Sequence, residues 1–314
     1  MPYVEASDLP VIDLEAYLSS ADDEGALRAV AEKVRDAGER VGFMFLVNHG
    51  LDDVIRRGYE AARAAHALED GKKAPFRNGV GFLKTENRVL PKRALPNYNE
   101  SFVVKRELSN TARNASLEDV PWPQDADFHP DFPFRNTVEE LLEGYEALAM
   151  KLLPVYATAL KLAPDYFTPL FRPSPVVRMR LARYATTPDG QFGINPHVDT
   201  SFFTLLASTD FEGLAIYSKH KKSWLRARNL DSGGEPLIVN TGQMLTQLTN
   251  DRWPATRHFA VNPSPTHNRI SLPFFFNADA RAPLAVLPSC CSDDDPPRYP
   301  SLSYLDSQAV AQGE

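Results

Sequence analysis

The chain has 314 residues, and 43% of them are hydrophobic, which is enough for a substantial buried core. A formal net charge of −7 and a pI near 5.6 argue against nucleic acid or an anionic membrane surface as the main partner, because both attract basic proteins. The only cysteines, Cys290 and Cys291, are adjacent, which disfavours a disulfide between them and is typical of free thiols in a reducing cytoplasm. The sequence lacks a secretory leader pattern and any apolar run long enough to cross a membrane, so we expect a cytoplasmic protein.

The first part of the chain predicts helices around a short strand. Residues 22–40 carry apolar side chains at helical spacing with acids in the first turn, and residues 52–68 show a similar pattern. Between them, residues 43–47 form a compact apolar run that indicates a strand, followed by a turn at His49. We interpret His49 as a structural turn residue, because no carboxylate accompanies it at strand spacing.

The middle of the chain changes character twice. Residues 71–130 lose clear periodicity and gain proline, asparagine and basic residues, and so long an irregular stretch is usually functional or disordered. An ordinary surface loop is the alternative. Residues 137–162 then return to helical spacing, and Thr137 with Glu140 has the form of a capping box, so we predict a long helix that begins at Thr137.

From residue 176 onwards, short apolar runs alternate with Gly, Pro, Asn and Asp. This pattern predicts strands, and strands at this spacing suggest a sandwich or jelly roll whose outer face is covered by the earlier helices. The predicted strands are 177–184, 194–199, 203–208, 214–217, 224–227, 237–240, 258–261 and 269–276.

One of these strands carries His197 and Asp199. Residues at i and i+2 of an extended segment share a face, so this imidazole and this carboxylate can converge on one point. A further ligand should be a histidine downstream, and of His220, His258 and His267 the best placed is His258, which begins a β-like run. Two histidines and one carboxylate form the facial triad of non-haem Fe(II) oxygenases.

A second polar pair, Arg269 and Ser271, follows at the same i, i+2 spacing on a phenylalanine-rich strand. A guanidinium and a hydroxyl on one strand face are suited to bind a carboxylate.

In this order and approximate spacing, the residues resemble the isopenicillin N synthase-like branch of the 2-oxoglutarate- and Fe(II)-dependent dioxygenases. The hallmark of that family is a His-X-Asp pair, a distal histidine and an Arg-X-Ser pair. Further stretches that resemble family landmarks are 10–14, 42–50, 240–250 and the phenylalanine-rich strand. The likeness covers most of the chain. One departure is Phe259, which follows the distal histidine where many members carry arginine; we expect altered packing there without loss of iron.

The resemblance implies a mostly β fold with flanking helices and a double-stranded β-helix (jelly roll) core, in a single domain spanning residues 1–314. Within it, residues 1–170 would form a helix-rich N-terminal part and the active-site mouth. Residues 171–280 would form the jelly-roll core with the iron and 2-oxoglutarate sites, and residues 281–314 a C-terminal tail.

For the site, the resemblance implies that Fe(II) is bound by the metal-ligand set His197, Asp199 and His258. The cosubstrate 2-oxoglutarate would occupy two of the open positions, and O2 the last. The far carboxylate of 2-oxoglutarate would be bound by the set Arg269, Ser271 and Tyr184.

A small-molecule substrate is expected beside this centre. Arg180 should share a strand face with Tyr184, and the resemblance places Tyr98 and Arg93 at the mouth. Together with Phe275 these residues are the candidate substrate contacts. Cations near an iron pocket in an acidic protein suggest an anionic substrate.

Different functions remain open at this point. The leading one is an oxygenase that hydroxylates or desaturates a small molecule and releases succinate and CO2. An oxidase or cyclase of isopenicillin N synthase type would use the same iron without 2-oxoglutarate. A non-catalytic metal-binding jelly roll would bind iron without 2-oxoglutarate-dependent O2 uptake. A zinc hydrolase is disfavoured because no dedicated general base accompanies the ligands. The identity of the substrate and the oligomeric state do not follow from the sequence.

Overall fold

The framework of the molecule is a pair of β-sheets. The computed structural model describes residues 9–20, 23–85, 97–106, 120–130, 132–219 and 221–306. The strands are β1 (Val11–Asp13), β2 (Phe43–Val47), β3 (Gly81–Leu83), β4 (Glu100–Arg106), β5 (Pro175–Tyr184), β6 (Ile194–His197), β7 (Phe203–Ser208), β8 (Leu214–Ser218), β9 (Ser223–Arg226), β10 (Leu237–Thr241), β11 (His258–Ala260) and β12 (Arg269–Asp279). The eight-stranded sheet has the order β1-β2-β10-β7-β12-β5-β4-β3, and the four-stranded sheet the order β6-β11-β8-β9.

Helices cover one face of the larger sheet, as the sequence predicts. They are α1 (Glu15–Ser19), α2 (Glu24–Arg40), α3 (Asp52–Ala67), α4 (Phe134–Ala159) and α5 (Gln243–Leu248). The α2 helix begins where the Asp23 carboxylate accepts a hydrogen bond from the Ala26 N–H, an N-cap contact. The α4 helix packs on the sheet through Tyr145, whose ring centroid is 5.5 Å from that of Phe274. Apolar burial between the helices and this sheet forms the main core. None of the helices in the described ranges has the length and apolar character needed to cross a bilayer.

Strand alternation separates this core from the site. On β5, Val177, Met179 and Leu181 join the main core, whereas Arg180 and Tyr184 line a cavity on the other face. The same alternation on β12 buries Phe274 and Phe276 in the main core and directs Arg269 and Ser271 into the cavity. The larger sheet therefore presents apolar side chains to the helices, and the face towards the smaller sheet carries the residues that line the cavity.

The structure corrects the interpretation of residues 71–130 as wholly irregular. This stretch contains β3 and β4, and β4 pairs with β5 over its whole length. Phe102, Val103 and Val104 are all buried, so this strand is apolar on both faces and shows no period-two pattern. Pairing with β5 therefore decides its structure, and local periodicity could not reveal it.

Two predicted element ends are also wrong. The α4 helix begins at Phe134, and Thr137 lies inside it, where its hydroxyl donates to the Pro133 carbonyl oxygen at 2.9 Å and does not cap the helix. The β6 strand ends at His197, so Asp199 lies in the turn that follows.

Candidate active site

The predicted metal ligands converge at one end of the cavity between the sheets. On the antiparallel pair β6 and β11, His197 and His258 lie opposite each other, with ring centroids 4.3 Å apart. The Oδ1 atom of Asp199 is 3.6 Å from His197 Nε2 and 3.7 Å from His258 Nε2. All three ligand atoms lie within 4.8 Å of one another, so a single metal ion can contact each of them.

Backbone carbonyls set the tautomers of both histidines. The Nδ1 atom of His197 is 2.8 Å from the Asn195 carbonyl oxygen, and that of His258 is 3.0 Å from the Thr256 carbonyl oxygen. A carbonyl only accepts hydrogen bonds, so each Nδ1 carries the hydrogen. The lone pair of each Nε2 is then directed at the ligand cluster, which is the arrangement that metal-binding histidines require.

The protonation states also suit a cation. Burial lowers the pKa of His258 to about 4, and the adjacent His197 acts in the same direction. Burial by itself would raise the pKa of Asp199, but the two histidines and Asn240 hold it well below its usual range. At neutral pH the buried site therefore contains a neutral His258 and an ionised carboxylate, the donor forms that bind a divalent metal.

Arg269, which is 2% exposed, lies away from the metal ligands. On β12 it is six residues from Phe275, the cross-strand partner of Thr204, and Thr204 is bonded to Asp199. Arg269 Nε donates to the Asp210 carbonyl oxygen at 2.6 Å, and its guanidinium carbon lies 4.9 Å from the Tyr184 ring centroid. Its Nη1 is buried and has no hydrogen-bond partner within the described ranges. Ser271, on the same face of β12, is 2% exposed and also lines the cavity. An unsatisfied buried guanidinium nitrogen is costly, which indicates a site for an anion.

The cavity joins both ends. Its empty space amounts to about 570 Å³, part of which is open to solvent. The polar groups at the two ends are separated by apolar wall residues such as Leu206 and Leu214. This shape suits a short molecule with a carboxylate at Arg269 and its other end at the metal.

Two of the four candidate substrate residues line the cavity. Arg180 and Phe275 line the cavity, and the guanidinium carbon of Arg180 is 5.7 Å from the Phe275 ring centroid. Asn99 and Ser101 also line it, whereas Tyr98, whose N–H donates to the Phe192 carbonyl oxygen at 2.9 Å, is not among the described lining residues. Arg93 lies outside the described residues.

The other candidate histidines within the described ranges do not join the metal cluster. His49 is buried, its Nδ1 accepts the Leu51 N–H at 3.1 Å, and its Nε2 lies 2.6 Å from the Glu235 carbonyl oxygen. These contacts are compatible with the predicted structural role, and burial lowers the pKa of His49. His267 is exposed, and His220 lies outside the described residues.

The position after the distal histidine is filled by an aromatic cluster. Phe259 is buried and makes edge-to-face contacts with Trp224 at 4.7 Å and with Phe192 at 5.0 Å between ring centroids. Phe259 therefore belongs to an aromatic cluster next to the metal ligand His258, and the expectation that iron binding tolerates it stays a prediction.

Sequence reasoning missed two residues that contact Asp199. Thr204 Oγ1 donates to Asp199 Oδ2 at 2.7 Å, and Asn240 Nδ2 donates to the same oxygen at 2.8 Å. A signal was present, since Thr204 is flanked by apolar residues on β7 and Asn240 follows three apolar residues on β10. A buried polar position on a strand is unusual enough to be informative.

Comparison with known proteins agrees with this geometry. The family model of the 2OG-Fe(II) oxygenase superfamily matches residues 174–278, and that of the N-terminal region of non-haem dioxygenases in morphine synthesis matches residues 9–125. A 2-oxoglutarate-Fe(II) type oxidoreductase, hxnY, from Emericella nidulans is 26% identical over 95% of this chain and 87% of its own length. The 2-oxoglutarate-dependent dioxygenase 11 of Oryza sativa subsp. japonica is 28% identical over 95% of this chain and 79% of its own.

Solved structures show the same fold. The crystal structure of a 2OG-Fe(II) oxygenase family protein from Caulobacter crescentus has a TM-score of 0.81 and 26% identity, covering 98% of this chain and 99% of its own. A full-length Neurospora crassa protein, solved in complex with alpha-KG and thymine, has a TM-score of 0.81 and 20% identity, covering 97% of each chain.

Fold and site together define a non-haem iron oxygenase with a double-stranded β-helix core. The chain belongs to the 2OG-Fe(II) oxygenase superfamily. It is therefore an enzyme that uses Fe(II), 2-oxoglutarate and O2, and the predicted fold class, reaction class and cofactors are confirmed.

Proposed function

We propose that this enzyme hydroxylates or desaturates a small anionic molecule and converts 2-oxoglutarate to succinate and CO2 in the same turnover. The observation that carries the proposal is that a three-residue metal cluster and the unpaired Nη1 of Arg269 lie at opposite ends of one cavity, within the part of the chain that the structure describes. An iron ligand set and a carboxylate receptor in one pocket are what a 2-oxo acid cosubstrate needs.

In this proposal His197 Nε2, His258 Nε2 and the Asp199 carboxylate bind Fe(II). When bound, Fe(II) supplies the redox chemistry that reduces O2. The chain itself presents His258 and Asp199 in the required protonation state and leaves the other metal positions open.

The far carboxylate of 2-oxoglutarate would pair with Arg269 and accept a hydrogen bond from Ser271. Tyr184 packs on the guanidinium and holds its plane in place, since the ring and the guanidinium carbon are 4.9 Å apart. Because the pair would be buried, loss of either charge would leave the other uncompensated.

The stoichiometry follows from the electron count. Reduction of O2 takes four electrons: oxidative decarboxylation of 2-oxoglutarate provides two, and the substrate C–H bond provides the other two. In hydroxylation, one oxygen atom enters succinate and the other enters the substrate. The protein's part is to place the C–H bond and to exclude other reductants.

For the substrate, we propose an anionic group at Arg180 and an apolar body against Phe275. Both residues line the cavity, and Arg180 shares the inner face of β5 with Tyr184. Tyr98 and Arg93 stay predictions for the mouth. Among the structural neighbours, the Neurospora crassa protein has been solved with thymine, which is also a small molecule.

We also propose a cytoplasmic location and the division into residues 1–170, 171–280 and 281–314 within one domain. The location is supported by the free thiols of Cys290 and Cys291.

The test is succinate formation by the purified chain with Fe(II), O2 and 2-oxoglutarate, over a panel of small carboxylic acids and matched neutral amides. We expect acids to stimulate succinate release and to be oxidised, and an Asp199→Ala variant to be inactive. Substrate-dependent O2 uptake without succinate would instead support the oxidase-type alternative. Stimulation by the amides alone would contradict the anionic substrate.

A further inference from the structure

The two oxygen atoms of Asp199 have different surroundings. Oδ1 faces His197 and His258, as described above, whereas Oδ2 accepts hydrogen bonds from Thr204 Oγ1 at 2.7 Å and Asn240 Nδ2 at 2.8 Å. Thr204 and Asn240 are each 2% exposed, and Asp199 is 7% exposed. Both donors to Oδ2 are therefore buried, where water cannot replace the carboxylate as their partner.

Sheet register places these donors together. Thr204 on β7 and Asn240 on β10 are direct cross-strand partners, so their side chains emerge next to each other on the inner face. Both strands belong to the larger sheet, whereas the histidines lie on the smaller one. The carboxylate is thus bound to the larger sheet through Oδ2 and presented to the smaller sheet through Oδ1.

The hydrogen-bond network extends to a third residue, Ser201. Ser201 Oγ lies 3.0 Å from Thr204 Oγ1. Since the Thr204 hydroxyl hydrogen is given to Asp199, Ser201 must be the donor in its contact with Thr204. Hydrogen bonds in such a chain polarise one another, so the Thr204 contact with Oδ2 is strengthened.

The arrangement has a consequence for metal coordination. A carboxylate that bound the metal through both oxygens would occupy one of the positions that a facial triad leaves open. A metal bond to Oδ2 would also take a lone pair that now accepts a hydrogen bond, which would leave Thr204 or Asn240 as a buried donor without its acceptor. The 2-oxo acid and O2 together need all the open positions.

We propose that Thr204 and Asn240 are positioning residues that restrict Asp199 to metal binding through Oδ1 alone and so preserve the position that the cosubstrate or O2 requires. The inference rests on the proposed function, because it concerns the same metal centre. It assigns these residues a role in coordination number, beyond stabilising the fold.

The experiment uses the full chain, with Co(II) as the metal probe and 2-oxoglutarate as the added ligand. Thr204→Val removes the hydroxyl at nearly constant volume, Thr204→Ser retains it as the matched control, and Asn240→Leu removes the amide donor. The readouts are the intensity of the Co(II) ligand-field absorption, which falls as coordination number rises, and the affinity of the Co(II)-loaded protein for 2-oxoglutarate.

For Thr204→Val and Asn240→Leu we expect weaker ligand-field absorption and about a 10- to 100-fold loss of 2-oxoglutarate affinity. We expect Thr204→Ser to match the wild type in both readouts. Ser201→Ala, which removes only the donor to Thr204, should have a smaller effect in the same direction.

The proposal is overturned if Thr204→Val and Thr204→Ser give the same spectrum and the same 2-oxoglutarate affinity. If Thr204→Val does not fold, as judged by circular dichroism, Asn240→Leu decides in the same way. Failure of the wild type to bind Co(II) would instead contradict the proposed metal centre itself, so the two failures are distinguishable.

Discussion

Arg269 lies directly opposite Tyr184 across the antiparallel pair β12 and β5, and its guanidinium carbon is 4.9 Å from the tyrosine ring centroid. This contact and the hydrogen bond from Nε to the Asp210 carbonyl oxygen hold the guanidinium in place before any ligand binds. The buried Nη1 is left for the cavity. The carboxylate receptor is therefore preorganised, which lowers the entropic cost of binding.

The first prediction concerns this receptor. Arg269→Ala should raise the 2-oxoglutarate concentration needed for half-maximal turnover by roughly two to four decades, since losing a buried charge partner costs about 3–5 kcal/mol. Arg269→Lys keeps the charge but loses the planar fork and the contact with Tyr184, so it should restore only part of the affinity. Succinate release measured at increasing 2-oxoglutarate gives the half-saturating concentration for each variant. An unchanged value in Arg269→Ala would show that 2-oxoglutarate does not bind at Arg269.

The second prediction concerns the substrate. Arg180→Leu should weaken binding of an acidic substrate by at least tenfold, because a charge-assisted contact contributes roughly 1.5–3 kcal/mol. Half-saturation by 2-oxoglutarate should stay constant, and succinate release uncoupled from substrate oxidation should persist.

The matched control is Arg178→Leu. Arg178 lies two residues earlier on β5 and is not among the described residues that line the cavity. Equal losses of substrate affinity in both variants would point to a general electrostatic effect and not to a contact with Arg180.

The third prediction concerns pH and the metal-free protein. In the unfolded chain His258 binds a proton below its ordinary pKa of 6.5, whereas in the folded protein it stays neutral down to about pH 4. The unfolded chain therefore binds more protons than the folded protein in this window. Burial of neutral His258 costs no stability above pH 6.5, and the free energy of unfolding falls as the pH drops from 6.5 towards 4. The lowered pKa of Asp199 acts in the same direction at still lower pH.

Urea unfolding of the apoprotein across this pH window tests the sign. The free energy of unfolding should fall with acidification, and a His258→Gln variant should show a shallower slope. If the slopes of the two proteins were equal, burial of a neutral His258 would not be the source of the pH dependence.

The fourth prediction concerns the turn that carries Asp199. A Cβ added at Gly242 would overlap the Ser201 carbonyl oxygen, and the Gln243 N–H donates to the Asp199 carbonyl oxygen at 2.8 Å. Gly242→Ala should therefore destabilise the protein by about 1–3 kcal/mol and weaken Co(II) binding, because the turn must move. Gly71→Ala is the control, since a Cβ there meets nothing within 4 Å. A Gly242→Ala protein with normal stability and metal affinity would show that the turn adapts without moving Asp199.

The sequence by itself determined the parts of this protein that depend on local spacing. Helical periodicity identified α2, α3 and most of α4, and period-two spacing paired His197 with Asp199 and Arg269 with Ser271. The helices and the pair of Arg269 and Ser271 were identified correctly because side chains two apart on a strand, or three to four apart on a helix, share a face whatever the rest of the chain does. Asp199 also meets His197, but it lies beyond the end of β6 and is held by Thr204 and Asn240.

The sequence pattern selected His258 as the distant partner of His197, but tertiary structure alone decided which other distant residues meet. The β4 strand was hidden because it is apolar on both faces and forms by pairing with β5, and that pairing brings Asn99 and Ser101 to the cavity wall. The placement of Thr204 beside Asn240 depends on the register between β7 and β10, and a shift of one residue would turn both side chains away from Asp199. Register is set by burial across the whole sheet, which is why no local pattern around either residue shows that they hold the same carboxylate oxygen.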